Sequence, residues 1–218
     1  MREWLSGRAS PCQGERREFE SRLPLQKVSV LRTETFFVKE VVSSSIVWYN
    51  KICFDEVIKM IRHPFPPLYN KDSKILILGS FPSVKSREQM FFYGHPQNRF
   101  WKVISSVFEC NEPETIEEKK QFLLKNGIAL WDVIASCDIT GSSDSSIRNV
   151  KVNDISKILK EANIRQIFVN GKTAEKYFKK YTKAQINRDA VCLPSTSPAN
   201  AAWSVRRLVE KWEVLKSI

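Results

Sequence analysis

A chain of 218 residues, 42% hydrophobic and 27% charged, is long enough for one domain with a real core and has the composition of a soluble globular protein. No stretch approaches the roughly 18 uninterrupted apolar residues of a membrane helix. The N-terminus also lacks the apolar core of a secretory signal, so a cytoplasmic protein is expected. The net charge of +11 points to a polyanionic partner, with nucleic acid the first candidate.

Five cysteines (Cys12, Cys53, Cys110, Cys137 and Cys192) lie too far apart for a zinc knuckle or a CxxC pair, and are expected reduced and mostly buried. Two histidines, His63 and His95, exclude a His-rich metal site.

Along the chain, residues 1–59 and 60–218 read as different material. Residues 1–25 are rich in Arg, Glu, Ser and Pro without periodicity, which predicts disorder. The run from Gly7 to Arg17 looks like a transfer-RNA gene translated by mistake, and Met60 is read as the start of a self-sufficient domain. The competing reading is a basic arm that tethers the protein to DNA. Charge disfavours it slightly: residues 1–59 hold 10 Lys and Arg against 8 Asp and Glu, whereas 60–218 hold 25 against 16.

From residue 60 onward, strands and helices are predicted to alternate. Lys74–Gly79 is a short, continuously apolar run that ends in glycine, as a strand covered on both faces should be. Similar runs are Gly127–Val133, Gln166–Asn170 and Ala190–Leu193. Phe100, Trp101, Val103, Ile104, Val107 and Phe108 recur at helical spacing. So do Ile155, Ile158 and Leu159 after a capping Asn153 or Asp154. A last helix is read through Ala201, Val205, Leu208, Trp212 and Leu215. The pattern predicts a three-layer α/β/α sandwich around a mostly parallel four-stranded sheet, with the ligand beyond the C-terminal strand ends.

Three segments follow those ends. The first, Gly79-Ser80-Phe81-Pro82-Ser83-Val84-Lys85-Ser86, combines close backbone approach with small hydroxyls, and suits a phosphate or a base edge as well as a plain connection. The second, Phe91-Phe92-Tyr93-Gly94-His95-Pro96-Gln97-Asn98-Arg99-Phe100-Trp101, places aromatics before a turn and Asn98 at a helix start, as cap or pocket residue. The third, Pro194-Ser195-Thr196-Ser197-Pro198-Ala199-Asn200-Ala201-Ala202-Trp203, reads as an anion site at a helix start or as an ordinary Ser-capped helix. Gly171-Lys172-Thr173 is no P-loop, because Gln166 stands where that motif needs a second glycine, and no GxGxxG fingerprint exists.

Together the GSFPS, YGHPQN and STSPAN segments resemble the uracil-DNA glycosylase superfamily over about residues 60–218, and most of all its hypoxanthine (deoxyinosine) glycosylase branch. HPQNRFW is also similar to its counterpart in mismatch-specific uracil glycosylases. The main uracil enzymes carry a catalytic Asp where this chain has Phe81, and a thymine-excluding Tyr where it has Ser83. Many branches open the last motif with a His where this chain has Ser195. The resemblance instead implies Asn98 as the catalytic residue, positioning water through its carboxamide oxygen.

It further implies a base pocket from Gly79, Ser80, Phe81, Ser83, Phe92, Tyr93 and Asp132. Phe81 is favoured to stack on the base, and Asp132 stands where uracil enzymes read it. DNA contacts are expected at Ser86, Arg99, Ser195, Ser197, Pro198, Ala199 and Asn200, and phosphate contacts at Lys85, Arg87, Arg148 and Lys172. No metal, cofactor or Schiff-base lysine is implied. The expected partner is damaged DNA, double- or single-stranded, with the protein a monomer. Three rivals remain at this point: a uracil or mismatch-specific glycosylase, a non-catalytic lesion-binding module, and an unrelated nucleotide-binding α/β enzyme.

Overall fold

The run Ile75-Leu76-Ile77-Leu78 carries no polar side chain because both faces of the strand it forms are covered. A computed structural model describes residues 60–218; the expectations for residues 1–59 lie outside the described residues. The strands are β1 (Ile61–Arg62), β2 (Ile75–Gly79), β3 (Ile128–Asp132), β4 (Ile134–Asp138), β5 (Arg148–Val152), β6 (Gln166–Asn170) and β7 (Val191–Leu193). The helices are α1 (Val84–Gln89), α2 (Phe100–Val107), α3 (Ile116–Lys125), α4 (Ser156–Glu161), α5 (Lys172–Tyr177), α6 (Lys183–Ile186) and α7 (Val205–Trp212).

The main sheet is parallel throughout, in the order β3-β2-β6-β7. Alternation along β2 divides its side chains between two cores. Ile75 and Ile77 join Phe100, Ile104, Leu208 and Trp212 on one face, whereas Leu76 and Leu78 join Ile158, Ala174 and Phe178 on the other. Helices therefore cover both faces, which gives the expected three-layer α/β/α sandwich. All four expected strands appear, each within one residue of its expected ends.

A second, antiparallel sheet of order β1-β4-β5 was not expected. Its strands gave little apolar signal: β1 has two residues, and Arg148-Asn149-Val150-Lys151-Val152 is half-exposed or exposed throughout. This sheet matters for the site because Ile61 pairs with Cys137 and His63 N–H donates to the Ala135 carbonyl at 2.8 Å. It thereby delivers the residues after β1 to the end of β3.

Two helix starts also differ from expectation. Asn153 is no cap; its Nδ2 donates to the carbonyls of Asp132 (2.8 Å) and Ile134 (3.2 Å), while Asp154 accepts the Ser156 N–H. The last helix begins at Val205 behind the cap Ser204, so Ala201 falls in the preceding loop. Of the described cysteines only Cys137 is buried; Cys192 is half-buried and Cys110 exposed, against the expectation of general burial.

Candidate active site

A cleft of about 170 Å³ opens at the C-terminal ends of β2, β3 and β6. That volume lies below the roughly 300 Å³ at which drug-sized ligands begin, and suits a single heterocycle. The eight residues expected in the pocket, Gly79, Ser80, Phe81, Ser83, Phe92, Tyr93, Asn98 and Asp132, all line it. Ser86, Ser195, Ser197 and Ala199 join them; Arg99, Pro198 and Asn200 do not. Asn170, Ser142 and Asp144 also line the cleft and were not anticipated. Asn170 was discoverable, since it is the last residue of β6. Asp144 lies in the β4–β5 connection, which belongs to the unexpected sheet.

One wall is a closed hydrogen-bond chain. Asn170 Nδ2 donates to Thr196 Oγ1 at 3.0 Å, and that hydroxyl donates to Asn98 Oδ1 at 3.0 Å. Asn170 Oδ1 accepts the Thr196 N–H at 3.0 Å. Asn98 Oδ1 also accepts the Phe100 N–H at 3.0 Å, so Asn98 is both a helix-entry cap and a pocket residue. A carbonyl oxygen offers two lone pairs, and both are taken. The expectation that this oxygen holds a water is corrected on that ground. Nδ2 makes no hydrogen bond among the described residues and is the atom left for a ligand. Thr196, fully buried, is the residue that sequence reasoning passed over between Ser195 and Ser197.

The opposite wall holds Asp132, whose carboxylate lies 2.8 Å from His63 Nε2. Gly79 stands beside Asp132 in register, and a Cβ added there would meet Asp132 Oδ1 at 2.2 Å. The glycine is thus required by the close approach of the carboxylate. The Tyr93 ring stacks on Phe100 at 3.9 Å, and its hydroxyl is buried without a partner. Burial first, and then the charge of Asp132, push that phenol far above its ordinary range; Asn170 opposes from a geometry that falls short of a hydrogen bond. Phe81, 8% exposed, has the Arg87 guanidinium 5.7 Å from its ring centroid. At the mouth, Ser80 Oγ donates to Asp144 at 3.2 Å.

The family model for the uracil DNA glycosylase superfamily matches residues 66–218. The chain belongs to this superfamily. It is 37% identical over 159 residues to a hypoxanthine DNA glycosylase of Methanosarcina acetivorans, covering 72% of this chain and 98% of that protein. A hypoxanthine DNA glycosylase of Methanosarcina barkeri is 34% identical over 121 residues, covering 54% of this chain and 76% of that protein. A solution NMR structure of a Methanosarcina acetivorans protein, provisionally named a uracil DNA glycosylase, superposes with a TM-score of 0.62. It is 31% identical and covers 72% of this chain and 99% of its own.

Within this superfamily member, several cations expected at phosphates are engaged by the protein itself. Arg99 donates to the carbonyls of Thr196 (3.3 Å), Ser197 (2.5 Å), Asn200 (3.1 Å) and Trp203, so its guanidinium fastens the last loop. Arg87 donates to the Pro82 and Gly141 carbonyls, and Arg148 to those of Ser145 and Ile147. Lys85 pairs with Glu88 and Lys172 with Glu175. Lys179 first and Lys172 second hold the Glu175 carboxyl down to about 2. Ser86, 2% exposed, accepts the Gly94 N–H at 2.9 Å and contacts Ser83 Oγ at 3.0 Å, which makes it a tie between two pocket segments.

The Pro194–Trp203 segment is a turn-rich loop rather than a helix start, because α7 begins only at Val205. The N–H groups of Ser197 and Ala199 are taken by Ser195 Oγ and Ser197 Oγ, and Asn200 Nδ2 donates to the Ser195 carbonyl. The anion site as first conceived is therefore internally satisfied. A wider groove of about 620 Å³ runs from the pocket past Ser195, Ser197 and Asn200 to Lys172, Trp203 and Lys211. Among the described residues no group of three or more His, Cys, Asp or Glu is placed to hold a metal ion, and no helix is long and apolar enough to cross a membrane.

Proposed function

We propose that this DNA glycosylase excises hypoxanthine, hydrolysing the N-glycosidic bond of a flipped deoxyinosine and leaving an abasic site. Family membership and the two relatives named for hypoxanthine excision support action on a deaminated base. The observation that carries the reading is the shared cleft: Asn98, with free Nδ2 donors, and the Asp132 carboxylate line one cavity sized for a base.

A base stacked in a duplex cannot be reached, so the nucleotide must swing out at a cost of a few kcal/mol, least for a mispaired base. Phe81 supplies the apolar face for stacking, with Phe92 and Tyr93 closing the wall. An Asp132 oxygen accepts the N1–H of hypoxanthine. As the bond to C1′ lengthens, negative charge gathers on the departing base. The backbone N–H groups of Phe81 and Ser83, residues that line the cleft, donate to no acceptor among the described residues and are the donors left to stabilise that charge. Asn98 holds the attacking water through Nδ2–H, leaving a water lone pair for C1′; the amide positions and takes no proton, and the proton the water sheds passes through solvent to the expelled base anion. The reaction needs no cofactor, and no lysine stands at a pocket position that would give strand cleavage. The protein acts as a monomer on double- or single-stranded damaged DNA, with the backbone running along the groove past Ser195, Ser197 and Asn200.

The test uses end-labelled duplexes with one inosine, uracil or xanthine, incubated with the protein and then with alkali. Cleavage at inosine well above uracil is expected. Cleavage mainly at uracil would keep the family and change the base. Tight binding without cleavage of any duplex would make the protein a lesion-binding module.

A further inference from the structure

The buried histidine outside all three motif segments has no part in the reading above. His63 follows β1, and its side chain is 4% exposed inside a cage of aromatic rings. The centroids of Phe65, Phe81, Phe92 and Trp131 lie 4.5, 6.2, 6.4 and 6.5 Å away. It does not line the cleft. One nitrogen, Nε2, lies 2.8 Å from Asp132 Oδ2, and the other, Nδ1, is buried with no partner. A buried N–H without an acceptor costs more than an unused ring lone pair, so the proton belongs on Nε2, donating to the carboxylate.

No Lys or Arg pairs with Asp132 among the described residues. The other polar groups around it are the Tyr93 hydroxyl, itself without a partner, and Asp144, whose charge opposes it. His63 is accordingly the one side-chain donor seen on this carboxylate. With Oδ2 fixed by the imidazole, Oδ1 comes to rest against Gly79 in the pocket floor.

We infer that His63 is a positioning residue for base selection: it fixes the Asp132 carboxylate so that Oδ1 meets the ring N–H that deamination creates. Hypoxanthine presents N1–H and uracil N3–H, whereas adenine N1 and cytosine N3 present lone pairs that repel a carboxylate oxygen. The pair reads the chemistry that separates hypoxanthine from adenine and uracil from cytosine. The inference rests on the glycosylase reading of the cleft.

The test compares single-turnover excision from inosine duplexes by the wild type, His63→Leu, His63→Gln and Asp132→Asn, and by His63→Leu combined with Asp132→Asn. A hydrogen bond to a charged group implies a fall of about 10- to 100-fold for His63→Leu. His63→Gln, which keeps an N–H for Oδ2, restores most of it. In the Asp132→Asn background, His63→Leu makes no further difference. A long-range 1H–15N spectrum of the wild type, simplified by the presence of only two histidines, shows the His63 proton on Nε2.

An equal fall with and without Asp132, or no recovery in His63→Gln, would overturn the inference, because a purely structural histidine behaves that way. A proton found on Nδ1 overturns it whatever the variants do, even if His63→Leu fails to fold. Absence of wild-type excision from every deaminated duplex would overturn the glycosylase reading instead, while the spectrum still decides the pairing.

Discussion

Thr196 Oγ1 stands 3.0 Å from both Asn170 Nδ2 and Asn98 Oδ1, so the Asn170, Thr196 and Asn98 side chains are tied together within the protein, with Asn98 Nδ2 alone among them left free. Around the ends of β2 and β3 the reverse holds. His63 Nδ1, Tyr93 Oη and Trp131 Nε1 are buried without partners, three of the four such atoms among the described residues. An unpaired donor such as the Tyr93 hydroxyl or the Trp131 N–H costs about 1–3 kcal/mol in a folded chain, an unused His63 ring lone pair less. Such costs persist in native proteins where a ligand or water completes the set. The satisfied wall therefore holds one side chain rigidly for chemistry, and of the three unpartnered atoms opposite only the Tyr93 hydroxyl belongs to a residue that lines the cleft, which leaves it for a base to complete. Four substitutions test this division.

The largest effect is expected at the rigid wall. Asn98→Ala removes the free Nδ2 donors while leaving the Asp132 wall intact. Loss of a preorganised donor at a reacting centre is worth roughly 100- to 1000-fold. Single-turnover release of hypoxanthine should fall by that factor, with affinity for the inosine duplex unchanged in a gel-shift titration. Retained activity would transfer the chemistry to the opposite wall.

Gly79→Ala attacks the other side. Its Cβ would sit 2.2 Å from Asp132 Oδ1, and the carboxylate cannot swing away without breaking its bond to His63. Overpacking of about 1–3 kcal/mol corresponds to a loss of roughly 5- to 150-fold. The loss should appear in both binding and excision, unlike that of Asn98→Ala. Equal binding to wild type would show that Asp132 does not touch the base.

The difference between the walls also explains what the sequence disclosed. The parallel strands were legible because burial on both faces leaves an unbroken apolar run, as in Ile75-Leu76-Ile77-Leu78. The motif segments were legible because the strand ends of such a sheet must carry the ligand. The family resemblance then implied one pocket for Asn98, Phe81 and Asp132. His63 could not be placed with them, because it arrives through a two-residue strand whose pairing with β4 leaves no periodic trace. The loop-fastening contacts of Arg99 were hidden for a different reason. A basic residue beside a motif looks the same in sequence whether its guanidinium faces a phosphate or four carbonyls of a neighbouring loop.

Thr196→Val opens the satisfied wall while preserving its shape. Asn170 Nδ2 loses its acceptor and Asn98 Oδ1 one of its two donors. Leaving a buried donor unpaired costs about 1–3 kcal/mol of stability. With about 2–4 °C per kcal/mol in a domain of this size, the melting temperature should fall by several degrees. Excision should fall less than with Asn98→Ala, since the Phe100 N–H still orients the amide. An activity loss equal to that of Asn98→Ala would make the hydroxyl a direct participant in the reaction.

The smallest effect is expected for Arg99→Lys, which separates fastening from DNA contact. The guanidinium reaches four carbonyls between Thr196 and Trp203; an ammonium on a single-ended stem reaches fewer. Charge is retained, so a phosphate contact would survive and the salt dependence of DNA binding would stay the same. The loop, however, loses neutral-acceptor bonds worth about 1 kcal/mol each, and the melting temperature should drop by a few degrees. Because Thr196 lies at the start of that loop, a modest fall in excision should accompany the thermal shift. The reverse pattern, unchanged melting with weakened and less salt-sensitive binding, would return Arg99 to the DNA and leave the rigid wall held by Thr196 and Asn170 alone.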